Sequence, residues 1–472
     1  MPKNSLAPDW LKTPSDSNAL ALGVWPKHAQ RNSSGEIQLA GVSLVELAKQ
    51  FGTPLYLLDE QHVRESAEEF KRLLELEFNK LGASATVYYA GKAFLSAEIA
   101  RWMIDSGLKI DVASSGELSV ALAAGIDPKK LGLHGNNKSN YELETAVNVG
   151  IGTVIIDCES EIGRLQEFAA RAGSVQAVRL RVRSGVHAHT HEHLATSHED
   201  QKFGVSLQEA PRLVRLIREC ENLEFLGLHS HIGSQIFGFE GFVEAISRLL
   251  ALHKELLSDG PVPEINLGGG FGVAYVSNET APTISEIVTA LSRAVGTEAE
   301  RLGIPVPNVC IEPGRAIIGP AGVTIYSVGV IKDVEVDSGT RVETRKYVSV
   351  DGGMSDNPRP ALYQAEYSAR IANRSSDRPP SLCRVVGKHC ESGDIVVNNE
   401  YLPSDIISGD ILAVATTGAY CWSLSSNYNY LPRPAVVAVT NHRARVIVRG
   451  ESERDLLSRD AGLSNEFQEG EQ

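Results

Sequence analysis

Tyr88-Tyr89-Ala90-Gly91-Lys92 closes an apolar run on a lysine. A lysine at the tip of a buried strand is poorly hydrated, which lowers its pKa and leaves more of it as free amine. A free amine can condense with an aldehyde cofactor to give a Schiff base. Alone, such a lysine is more often a solvated strand end, so its company decides. Three further signatures also follow apolar runs: His229-Ser230-His231-Ile232-Gly233-Ser234-Gln235, Gly268-Gly269-Gly270-Phe271-Gly272 and Glu312-Pro313-Gly314-Arg315. Glycines lack a Cβ and let backbone N–H groups approach an anion; Ser234 adds a hydroxyl donor. Glu312 ends a buried strand, where a carboxylate is costly unless paired. An ion pair with Arg315 is its plainest partner. A protonated pyridine nitrogen is the other, and with the amine and the anion cradle it describes pyridoxal phosphate.

The elements that must position these residues are legible as periodicity. Strand patterns recur at 86–90, 109–112, 131–134, 153–156, 177–182, 224–229, 264–267 and 308–311, with helical patterns between them at 116–124, 142–148, 159–171, 211–221, 242–257 and 284–301. Eight strands interleaved with helices predict a (β/α)8 TIM-type barrel, in which strand C-terminal ends share one face. A doubly wound open sheet is the alternative, because patterning does not prove closure. Past 320 the strands become short and β-branched, at 323–330, 344–350, 384–386, 394–397, 411–416 and 435–440, and helical signals nearly vanish, which predicts a mainly β second domain. The expected domains are therefore 1–59, an arm and a strand (55–58) that joins the β domain; 60–320, the barrel; and 321–472, the β domain. Residues 1 to about 35 look irregular and loosely attached, a capping box at Ser43 and Glu46 starts a short helix, and 450–472 is charged enough to fray.

Composition narrows the class. The chain has 472 residues, 42% hydrophobic, with a formal net charge of −14. That balance argues against nucleic acid or an anionic membrane as partner. No apolar run reaches membrane-span length, and the N-terminus lacks a signal peptide's apolar core. Six scattered cysteines show no zinc-ligand pairing and are few for a disulfide scaffold, so a cytoplasmic protein with reduced thiols is expected. His187-Ala188-His189-Thr190-His191-Glu192-His193 could offer metal ligands, but no further ligand stands at metal spacing and no metal is assigned. In the β domain, Cys390 beside Glu391 in a polar glycine-containing turn offers an exposed thiol as proton donor. Arg359 and Tyr363 offer a cation and a phenol, and Gly418-Ala419-Tyr420 leads into a polar loop.

Together these motifs resemble the fold-type III, alanine-racemase-like pyridoxal-phosphate decarboxylases. The resemblance covers about residues 40 to 450. It rests on Tyr89-Ala90-Gly91-Lys92-Ala93, His134-Gly135-Asn136-Asn137-Lys138-Ser139, Gly227 through Gln235, Glu312-Pro313-Gly314-Arg315, Arg359-Pro360-Ala361-Leu362-Tyr363 and Cys390-Glu391-Ser392-Gly393-Asp394. It implies pyridoxal 5'-phosphate held by Lys92, with His231 against the ring face and Glu312 on the pyridinium. Ser234, Gly269, Gly270, the backbone of 312–315 including Gly314, and Tyr420 would surround the phosphate. Arg315, Arg359, Tyr363, Glu391 and Tyr420 would bind the substrate. Cys390, reaching in from a second subunit of a homodimer with shared sites, would supply a proton. The implied reaction, the last step of lysine biosynthesis, converts meso-2,6-diaminopimelate to L-lysine and carbon dioxide. An ornithine or arginine decarboxylase of the same fold is the nearest alternative, although such enzymes generally carry Cys-Asp where this chain has Cys390-Glu391. Alanine racemase and a non-catalytic dimerising homologue fit less well, the latter because Lys92 and Cys390 are both present. One departure is Gln201-Lys202-Phe203-Gly204, where many members have Ser-Lys-Phe-Gly.

Overall fold

The computed structural model describes residues 4–186, 202–337, 339 and 341–463. The histidine run at 187–193 and Gln201 lie outside them. The chain divides into two units: Arg64–Gly272 with Ala281–Ile317, and Met1–Val63 with Val273–Thr280 and Ile318–Gln472.

The first unit is a closed barrel of eight parallel strands: β1 (Ala85–Ala90), β2 (Lys109–Val112), β3 (Leu131–Leu133), β4 (Thr153–Ile156), β5 (Gln176–Arg183), β6 (Leu223–His229), β7 (Glu264–Asn266) and β8 (Asn308–Ile311). Each pairs with the next, and β8 returns to β1 through Val309↔Ala85, so the open-sheet alternative is excluded. Helices carry the chain between strands, as parallel neighbours require. Their ends are written in the sequence. Ser114 accepts from Glu117 N–H, Ser139–Glu142 and Thr283–Glu286 form capping boxes, and Gly150, Gly173 and Gly303 end helices in the left-handed conformation.

Side chains alternate along a strand, so residues two apart share a face. Inside the barrel this builds two polar layers. The lower holds Tyr88, Lys109, Arg179, Glu264 and Cys310. Arg179 donates to Glu264 (2.7 Å) and to the Tyr88 hydroxyl (3.1 Å), and its guanidinium also lies over the Tyr88 ring. Burial pushes the Cys310 thiol up to about 12. Two residues further along the same strands stand Asp111, Arg181, Asn266 and Glu312, at the C-terminal ends.

In the second unit the strand Gly322–Asp337 pairs antiparallel with Leu55–Asp59, Val342–Val350 and Ile411–Ala415, and Leu55–Asp59 runs parallel to Val436–Thr440. The N-terminal segment is irregular but not loosely attached. Ala7 and Leu11 pack with Leu382 and Tyr401, and Arg31 donates to the carbonyls of Asn18, Gly35, Ile371 and Arg374. One half-buried cation satisfying four carbonyls is what a polar, Pro-rich composition conceals. Ser43 does cap the helix Leu44–Phe51, but it accepts from Val45 N–H while its hydroxyl donates to Glu36, so no box with Glu46 forms.

Lys138, in the loop after β3, is buried and gives its Nζ protons to Gly135 O (2.7 Å), Ile155 O (2.6 Å) and the Glu161 carboxylate (2.9 Å). Glu161→Ala leaves this ammonium unpaired and is predicted to destabilise the protein by roughly 3–5 kcal/mol, whereas Lys138→Met with Glu161→Leu recovers most of the loss. Denaturant unfolding of the single and double variants checks this, and a mild single-variant effect refutes it.

Candidate active site

The C-terminal ends of the barrel strands enclose a cavity of about 160 Å³ whose lining includes Lys92, Asp111, His134, Arg181, Phe203, His229, His231 and Glu312. Lys92 stands on a single 3₁₀ turn, Gly91–Ala93, directly after β1. It is exposed, which corrects the expectation of a desolvated strand-tip lysine. The strand stops at Ala90, and the turn carries the side chain to the open part of the cavity. Gly314 permits this seat, because a Cβ there would stand 2.8 Å from Ala90 O and 3.1 Å from the Ala93 Cβ.

Glu312 is buried and paired, by groups other than Arg315. Its Oε1 accepts from Asn266 Nδ2 at 2.8 Å and lies 3.0 Å from His229 Nε2 and 3.5 Å from His134 Nε2. The histidine N–H axes are not aligned on that oxygen, so these are close electrostatic contacts rather than hydrogen bonds. Burial raises the Glu312 pKa, but the neighbouring histidines outweigh it and hold the carboxyl well below its usual range. Asp111, 3.3 Å from His134 Nε2, goes the other way: burial first, and then the charge of Glu312, keep it protonated. Two carboxyls in one cavity thus hold unequal protonation states.

The glycine run turns beside this pair. Gly269 N–H donates to His231 Nδ1 at 3.2 Å. A Cβ on Gly269 would collide with Glu312 O, and one on Gly270 with Gly233 O, while Gly268 has φ +66°. The close backbone approach is therefore obligatory. Burial and the Lys92 charge push the His231 imidazole well down, leaving it neutral. Ser234 Oγ accepts from an Arg315 guanidinium N–H at 2.8 Å. The donor set suits a phosphorylated heteroaromatic aldehyde. Both ring nitrogens of His229, His134 Nε2 and both Asp111 oxygens are buried without an aligned partner among the described residues, and beside them lie an amine, a carboxylate and a backbone cradle.

The remaining sequence-derived residues belong to the second unit. Arg359 is buried, lies 4.7 Å over the Tyr275 ring and donates to the Tyr367 hydroxyl. Tyr363 is half-buried, and Tyr420 has φ +64°. Cys390 and Glu391 are exposed, on a turn held by Asp394, whose carboxylate accepts from Met354 N–H (2.6 Å) and His389 N–H (2.7 Å). Cys390 N–H donates to Asn429 Oδ1 at 3.2 Å. Asp111, Arg181, Phe203 and Asn266 are site residues that motif reading passed over. The available signal for Asp111, Arg181 and Asn266 was a polar residue two positions after another on the same strand (Lys109, Arg179 and Glu264), which puts both on one face where each needs a partner. A wider groove of about 570 Å³ between helices Glu240–Leu257 and Ile284–Leu302 gathers no comparable set of reactive groups.

Residues 61–319 match the family model "Pyridoxal-dependent decarboxylase, pyridoxal binding domain". The chain is 46% identical to diaminopimelate decarboxylase of Mycobacterium tuberculosis over 447 residues, covering 93% of this chain and 98% of the relative, and 40% identical to that of Bacillus subtilis over 436 residues, covering 92% and 97%. Among solved structures, diaminopimelate decarboxylase of M. jannaschii in complex with L-lysine superposes with a TM-score of 0.85 at 27% identity, covering 94% of this chain and all of that one.

His134 and His229 are both pushed down to about 4, chiefly by burial. Their unfolded value lies near 6.5, so between these limits the unfolded chain binds protons that the folded protein refuses. Stability of the cofactor-free protein is predicted to be full above about pH 6.5 and to fall as the pH drops towards 4, by up to about 1.4 kcal/mol per pH unit for each histidine. Urea unfolding across that window checks it. His229→Gln should flatten the slope, and an unchanged slope would show that the imidazole takes its proton in the folded state.

Proposed function

The chain belongs to the pyridoxal-dependent decarboxylases and, among them, to the diaminopimelate decarboxylases, and from that membership we propose how its residues divide the work. The enzyme decarboxylates meso-2,6-diaminopimelate to L-lysine and carbon dioxide. The observation that carries the assignment of roles is the facing of Lys92 and Glu312 across one cavity beside a glycine turn.

In this reading the barrel, residues 60–320, holds pyridoxal 5'-phosphate. Lys92 Nζ is its covalent anchor. Glu312, its pKa held down, would pair with the ring nitrogen, and the His231 imidazole would lie against the ring. Gly269, Gly270, Gly314, Ser234, Arg315 and Tyr420 receive the phosphate, with backbone N–H groups supplying most of the donors. When bound, the cofactor supplies an electron sink for the pair released as the bond from Cα to the carboxylate breaks. Protonated Asp111 keeps a second negative charge away from Glu312, so the single carboxylate acts undiluted.

The β-rich unit, residues 321–472 with 1–59, holds the substrate's distal end and supplies the proton. The contacts of Arg359 among the described residues are tyrosine rings and a tyrosine hydroxyl, without a carboxylate. Its charge is kept for the distal carboxylate, which a guanidinium can hold through two parallel hydrogen bonds. Tyr363, Arg315 and Tyr420 orient that end, and Glu391 accepts from the distal ammonium. Cys390 of the partner subunit gives its Sγ proton to the carbon that has lost carbon dioxide, which makes the working unit a homodimer with shared sites. We place the reaction in the cytoplasm, where the six cysteines, none of them in a disulfide, stay reduced.

Two experiments test this division. Inactive Lys92→Ala and Cys390→Ala chains, dissociated and reassociated together, should recover about a quarter of wild-type activity, because half of a statistical mixture is heterodimer with one intact site. Absence of recovery despite proven subunit exchange would put both residues in one chain's site. Separately, Arg359→Ala should cut kcat/KM for diaminopimelate by about 10⁴ while leaving the cofactor's absorbance intact. Arg359→Lys should restore only part of this, since an ammonium cannot form the planar fork. Equal turnover of ornithine and diaminopimelate by the wild type would sink the role given to Arg359.

A further inference from the structure

Asn266 is the last residue of β7 and is fully buried. Its Oδ1 accepts from Gly268 N–H at 2.8 Å, and its Nδ2 donates to Glu312 Oε1 at 2.8 Å. These bonds fix the orientation of the amide, because only the oxygen can accept from a backbone N–H and only the nitrogen can donate to a carboxylate. One side chain therefore ties the glycine turn to the buried carboxylate. The backbone repeats the tie: Glu312 N–H donates to Gly268 O at 2.8 Å, and Ser230 N–H donates to Asn266 O at 2.9 Å.

The nearest polar contacts of Glu312 with Asn266, His229 and His134 all fall on Oε1. Of these three, the bond from Asn266 is the aligned one. A carboxylate whose first oxygen is engaged in this way presents its second to the cavity that it lines. We propose that Asn266 is a positioning residue for the cofactor: its amide saturates Glu312 Oε1 and locks it to the glycine turn, so that Oε2 is held in register with the phosphate cradle and meets the ring nitrogen. This rests on the reading that Glu312 pairs with that nitrogen, and it adds a residue through which the ring end and the phosphate end of the site are set at a fixed separation.

Two variants separate positioning from mere support of the turn. Asn266→Ala removes both bonds. Asn266→Ser keeps a hydroxyl that can accept from the N–H two residues on, but it cannot reach Glu312. Cofactor-free wild type, Asn266→Ala, Asn266→Ser and Glu312→Gln, with the corresponding double variants, are titrated with pyridoxal 5'-phosphate and followed by absorbance, with thermal unfolding run in parallel. The serine variant should still unfold cooperatively, at a temperature above that of Asn266→Ala, yet bind the cofactor about 10-fold or more weakly than wild type, the loss expected for one charge-assisted bond. In the Glu312→Gln background the same substitution should weaken binding less than about threefold, because the charge it positions is gone. An Asn266→Ser variant that binds like wild type, or an equal loss in both backgrounds, overturns the positioning role. Wild-type binding by Glu312→Gln overturns the pairing of Glu312 with the ring nitrogen, and this inference with it.

Discussion

A carboxylate buried at the mouth of a barrel has to be kept ionised by groups that cannot move away, and much of the site's construction follows from that requirement at Glu312. A bare carboxylate in a low-dielectric setting would neutralise itself by taking up a proton. Here burial and the Glu312 charge push the Asp111 pKa up, the two nearby histidines push that of Glu312 down, and the aligned donor is an amide on the neighbouring strand. The glycines after β7 complete the arrangement, since any side chain on Gly269 would strike the carbonyl of Glu312 itself. Electrostatics and backbone packing therefore restrict the same few residues.

The barrel was legible because its strands are apolar, β-branched and separated by well-marked helices. All eight appear within a residue or so of the expected bounds, from 86–90 against Ala85–Ala90 to 308–311 against Asn308–Ile311. The site was legible only where chemistry advertised itself by residue type at a strand end. Lys92 was read correctly in place but wrongly in environment, because one 3₁₀ turn separates a strand tip from an exposed lysine and leaves no periodic trace. Asp111 and Asn266 were passed over because each is one polar letter in a short strand that already carries another, Lys109 or Glu264, and its meaning depends on a residue 201 or 46 positions away, at Glu312. The N-terminal arm was misjudged for a related reason: composition records polarity, but not that Arg31 finds four carbonyls.

The second unit follows another logic. Its strands were partly visible, while the short Ala369–Ile371 and the closing Arg443–Val448 were not. The feature on which the proposed substrate contact rests is a cation held among neutral aromatic groups. A guanidinium stacked on Tyr275 and hydrogen-bonded to Tyr367 keeps its full charge and a fixed plane while spending little of its hydrogen-bonding capacity. Burial of this kind is tolerable because rings and hydroxyls replace part of the lost hydration, and it leaves the cation underused until an anion arrives.

The two polar layers inside the barrel carry a consequence for redesign. Arg179 and Glu264 lie one pleat beneath Arg181 and Asn266, outside the cavity's lining, and yet the Arg179 charge acts on Asp111, pulling its pKa down against the effect of burial. The acidity of the chamber can thus be retuned from its foundations. Because Arg179 and Glu264 are paired with each other, replacing both by a neutral pair of similar size, rather than one alone, would alter how tightly the chamber's protons are kept without stranding a buried charge, which amounts to a control on pH optimum separate from the one on substrate fit.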